Sequence, residues 1–166
     1  LVSGSMASGA PRIGDNRSVG IYLRVYSRTA LGDVADLLAH AKADALRVSR
    51  SSSGTPSPGW SWEVADVTSA VQQAALPVEF HHRASIGEDL AAQVERLEPT
   101  AERDRVLDVL RSATGMAEIK LSLVEDWELL FAIVELVSTA GDGVTYCEGD
   151  PAGFFDDPRG EPILTL

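Results

Sequence analysis

VGIYLRVYS, residues 19–27, decides the fold class. Ile21, Leu23 and Val25 alternate with Tyr22, Arg24 and Tyr26, a period of two that predicts a strand burying one face. Leu31, Val34, Leu37, Leu38 and Ala41 then recur at helical spacing, with Thr29 available as N-cap. Leu46 and Val48 resume alternation in a second strand. Shifted by 98 residues, this strand–helix–strand pattern falls without a gap on Ile119–Leu123, the apolar helix Trp127–Thr139 and the strand Val144–Cys147. Ile21 meets Ile119, Leu31 meets Leu129 and Leu46 meets Val144. Two βαβ units in one small domain predict an α+β fold, a ferredoxin-like antiparallel sheet with helices on one face.

Between the halves lie an inserted strand and an αα-hairpin. The Ser-, Gly- and Pro-rich run 51–59 reads as an exposed loop, after which Trp60, Trp62 and Val64 alternate with Ser61 and Glu63. That strand is expected to place Trp62 in the main core, so that Trp62→Ala unfolds the protein while Tyr22→Ala costs only association. Residues 66–83 suggest a short helix before Leu76 and a strand around Val78–Phe80. Ser85 and Glu88 form an S-x-x-E capping box, Pro99 ends the helix it opens, and Thr100 caps the next, running to about Ala113. Gly141-Asp142-Gly143 closes the late apolar helix.

The I-Y-L-R-V-Y strand at 21–26, the Trp60-x-Trp62 strand, L-E-P at 97–99, I-K-L-S-L at 119–123 and V-T-Y-C at 144–147 together resemble a bacterial family described as domain of unknown function 4279. The likeness spans most of residues 19–148; residues 66–83 and the acidic C-terminus depart from it. The resemblance implies a bacterial source and carries no catalytic residue.

The chain of 166 residues is expected to hold one domain, 19–148, after a vector remnant and flexible segment at 1–18 with a start at Met6, and before an acidic Pro- and Gly-containing tail at 149–166. In that tail Phe154 and Phe155 are candidates to dock on the body, and 163–166 to add an edge strand. No apolar run reaches the roughly 18 residues of a membrane span. The single cysteine, Cys147, fits a reducing, cytoplasmic setting, and its alternating strand marks it as a small apolar residue. Net charge is −11, divided as +3 over residues 1–60 and −14 over 61–166. Such an acidic surface disfavours general nucleic-acid binding and attracts a basic protein partner.

No cofactor is expected, since neither G-x-G-x-x-G nor G-K-[ST] occurs. No metal is expected either: His81 and His82 are adjacent on a strand and face opposite ways, and His40 stands alone. Tyr22, Arg24 and Tyr26 form the candidate binding face, open to a ligand unless the αα-hairpin or the second subunit of a homodimer covers it. The leading expectation is a non-enzymatic interaction module, immunity- or inhibitor-like, with a basic partner. The competing one is a small-molecule sensor or enzyme with a pocket between sheet and αα-hairpin, lined by Trp60, Trp62 and His81.

Overall fold

A computed structural model describes residues 21–29, 46–149 and 151–166. The expected helix at 31–41, His40 and the N-terminal segment lie outside the described residues. The strands are β1 (Tyr22–Ser27), β2 (Leu46–Ser57), β3 (Trp60–Ser69), β4 (Leu76–Arg83), β5 (Gly115–Lys120), β6 (Gly143–Cys147), β7 (Gly153–Phe155) and β8 (Leu164–Thr165). The helices are α1 (Glu88–Val94), α2 (Ala101–Ser112) and α3 (Trp127–Gly141), with a 3₁₀ turn at Leu121–Leu123. No described helix is long and apolar enough to cross a membrane.

The protein is α+β, with one eight-stranded sheet in the order β2-β3-β4-β5-β1-β6-β7-β8 and every neighbouring pair antiparallel. This order departs from the ferredoxin-like sheet. The β5–α3–β6 crossover straddles β1, but β2 stands at the far edge and, among the described residues, pairs with β3 alone. The reason lies in the polar run 51–59. Within it Ser52, Ser53, Gly54 and Ser57 stand opposite Val64, Glu63, Trp62 and Trp60 of β3, with register shifts before Ser52 and after Gly54, so most of the expected loop is strand. Pairing requires main-chain partners rather than apolar side chains, and an edge strand tolerates serines on both faces.

Helices cover both faces instead of one. On one face α3 packs Leu130, Ile133, Val134 and Val137 against Leu23, Val25, Val67, Phe80 and Ile119. On the other, Val94 of α1 and Val106 and Leu110 of α2 bury Tyr26, Val144, Tyr146 and Phe154. Because Ala65 and Val67 of β3 face α3, Trp60 and Trp62 take the opposite side. Trp62 therefore enters neither core. It is half-buried, its indole lying over Gly54 of β2, where a Cβ would come within 2.8 Å of the ring.

Local signals hold unevenly. Thr100 caps α2, its Oγ1 accepting from the Arg103 N–H at 3.0 Å, and Asp126 caps α3 through the N–H groups of Glu128 and Leu129. Asp142, at φ +47°, ends α3 in the left-handed region. The capping box does not form: Ser85 sits at φ +61°, away from the extended backbone a cap requires, and α1 begins after Gly87 without a side-chain cap. The short helix before Leu76 is absent too. Residues 70–75 turn around Gln72, fully buried, whose Oε1 accepts the N–H groups of Glu125 and Asp126 at 3.2 Å each. The strand expected over 119–123 leaves the sheet after Lys120, because the chain must turn there to reach α3.

Beyond Glu148 the chain adds β7 and β8 to the sheet. Phe154 and Phe155 are buried, one beneath each helical layer. Asp156 receives a two-pronged ion pair from Arg105 at 2.7 and 2.9 Å, tying this segment to α2.

Candidate functional site

Strand register builds the floor of one cleft. Four strands align Glu79↔Glu118↔Arg24↔Tyr146, and the next row on the same face runs Trp62↔His81↔Met116↔Tyr26↔Val144. Side chains opposite one another in such rows lie about 5 Å apart, so residues distant in sequence become contacts. Ile86 and, from the αα-hairpin, Asp89, Leu90 and Gln93 cover part of the floor and leave an open cleft of about 580 Å³.

The floor is strongly charged. Arg24 Nε donates to Glu118 Oε2 at 2.6 Å, and Arg24 Nη2 lies 3.3 Å from Glu148 Oε1. Burial works against the guanidinium charge, but the bond to Glu118 and the charge of Glu148 outweigh it and hold the pKa above its ordinary value. Burial also pushes the Tyr26 phenol up, partly offset by Arg24. The Tyr146 phenol is raised by burial and then by Glu148.

At the outer end, Trp60 Nε1 donates to His81 Nδ1 at 3.3 Å, and His81 Nε2 lies 2.7 Å from Glu79 Oε1. An indole N–H can only donate, so Nδ1 is the acceptor, and Nε2–H donates to the Glu79 carboxylate. The Arg83 guanidinium stands 5.2 Å from the centroid of the Trp60 ring and closes that side. Four carboxylates, of Glu79, Asp89, Glu118 and Glu148, thus line the cleft against two guanidiniums, of Arg24 and Arg83.

The cleft brings together Arg24, Tyr26, Trp60 and His81. Tyr26 is covered by the αα-hairpin, so the expected open face survives only as this cleft. Tyr22 lies outside its lining, with Arg24 5.7 Å from its ring centroid, and Trp62 is likewise outside. His82 points to the other face, as adjacent strand residues must. Cys147 is buried among the residues packed beneath α3.

Sequence reading missed Glu79, Glu118 and Glu148. Half of the signal was present, because Glu79-Phe80-His81 alternates with Phe80 inward and so sets Glu79 beside His81. That Glu118 joins them depends on β4 pairing with β5, which no local pattern reveals.

No family model matches the chain, and no curated protein or solved structure is similar to it.

Proposed function

We propose that the chain is a non-enzymatic interaction module, of the immunity or inhibitor kind, that binds a basic protein partner in a cytoplasmic setting and takes one of its cationic side chains into the cleft. The observation that carries this reading is the excess of carboxylates over guanidiniums in a half-covered cleft that also offers the Trp60 ring. A lysine or arginine entering there meets acidic oxygens and an aromatic face, both of which favour a cation. The charge of −14 over residues 61–166 supports the same partner, since it steers basic surfaces toward the cleft and repels phosphate backbones.

The test is titration of a lysine-rich peptide followed by tryptophan fluorescence, at low and at moderate salt. Binding is expected to weaken as salt rises, and Glu118→Gln with Glu148→Gln together to lower affinity on the order of tenfold. Equal binding of a lysine-rich and a glutamate-rich peptide would sink the proposal. A second reading, a small-molecule sensor or enzyme, is favoured by the Glu79–His81 hydrogen bond, which orients an imidazole in a volume within the usual ligand range.

A further inference from the structure

The floor of the cleft supports a site of a different kind. Among the described residues, Glu79, His81 and Glu118 each offer one donor atom, and the three atoms lie within 4.8 Å of one another. We propose that these three residues bind a divalent transition-metal ion of the zinc class. This goes beyond the basic-partner reading and does not rest on it; the ion and a basic side chain draw on the same carboxylates and would compete for them.

Backbone geometry assembles the three ligands. Glu79 and His81 are successive residues on one face of β4, and Glu118 stands opposite Glu79 on β5. All three are half-buried on a paired sheet, which holds their backbones in place before any ion arrives. Zinc bonds to nitrogen and oxygen of about 2.0–2.2 Å place tetrahedral donors about 3.4 Å apart. Binding therefore widens the 2.7 Å contact between His81 Nε2 and Glu79 Oε1 and draws in the donor atoms that stand up to 4.8 Å apart, both by side-chain movement.

Donor chemistry selects the ion. One imidazole nitrogen favours zinc and its neighbours over magnesium or calcium, which prefer oxygen alone. Three protein donors leave a tetrahedral ion one further position for water or a partner's oxygen or nitrogen. A divalent charge also balances four carboxylates against two guanidiniums. Arg24 already holds Oε2 of Glu118 and so orients the carboxylate.

Proton bookkeeping supplies a reporter. The ion takes the Nε2 lone pair of His81, and the ring stays neutral by moving its proton from Nε2 to Nδ1. Nδ1 can then no longer accept from the Trp60 indole, whose hydrogen bond at 3.3 Å must break. Zinc binding therefore changes Trp60 fluorescence, whereas an ion held loosely among surface acids does not.

The experiment titrates the chelator-treated full chain with zinc chloride, by calorimetry and tryptophan fluorescence, and repeats it with magnesium chloride. We expect one equivalent of zinc to bind with a change in emission, and magnesium to produce neither. His81→Ala and Glu118→Gln each remove a direct ligand and should weaken zinc by at least the roughly tenfold to hundredfold that loss of an outer-shell partner costs. His40→Ala and His82→Ala should leave it unchanged, and Trp60→Phe should keep the heat while losing the emission change. Should His81→Ala fail to fold, Glu118→Gln decides the matter. Zinc binding that survives Glu118→Gln, equal binding of magnesium, or no heat at millimolar zinc would overturn the proposal.

Discussion

Phe80 and Trp62 lie on adjacent strands and have opposite fates. Phe80 is fully buried beneath α3, whereas the larger Trp62 ring keeps solvent on one side and leans on Gly54. Phe80→Ala is therefore expected to cost about 3–5 kcal/mol. Trp62→Ala should cost less and leave a folded protein; urea midpoints measured side by side decide, and an equal or larger loss at Trp62 would refute the placement. The phenols of Tyr26 and Tyr146 carry a pH prediction. Both folded pKa values stand above the ordinary 10.0, so neutral burial contributes stability in full below that pH. Above it the unfolded chain ionises first, and stability falls as pH climbs toward the folded values. Urea midpoints at pH 9 and pH 11 should show this loss, and Tyr26→Phe with Tyr146→Phe should shrink it.

At the scale of elements, the roof of the cleft depends on one close approach. A Cβ at Gly87 would lie 2.2 Å from the Leu110 carbonyl oxygen, so α1 starts against α2 only because the side chain there is hydrogen. Gly87→Ala must push α1 outward, at a cost of about 1–3 kcal/mol, and should speed amide exchange in α1 before it affects β5. Uniform exchange across both elements would show that the hairpin and sheet open together. The link between the two helices is held by Arg103, whose Nη1 donates to the carbonyls of Glu95 and Leu97 at 3.2 and 3.0 Å. The brief connection through Pro99 was legible as an αα-hairpin. Which face of the sheet it covers was not, since α1 and α2 have apolar residues that would suit either layer.

Across the whole molecule, the last strands close the layer beneath α1 and α2. Phe154 is fully buried, its ring 4.9 Å from that of Tyr146, centroid to centroid. Deleting residues 151–166 should expose both rings and yield insoluble or unfolded protein, whereas a solvated tail could be removed without effect; solubility and the near-ultraviolet spectrum distinguish the two. The sequence by itself determined the α+β class, the period-two strands β1, β3 and β6, the α2 cap at Thr100 and the lopsided charge. Periodicity and capping act between residues within a few positions of one another, and charge is a sum over composition that needs no fold. Tertiary structure alone decided the rest: that a serine-rich run extends β2, that β4 and β5 rather than β2 lie between β3 and β1, and that Glu118 and Arg24 meet Glu79 and His81. Register between strands is a contest among whole-sheet alternatives, settled by how both faces are buried at once, and no local pattern encodes its outcome.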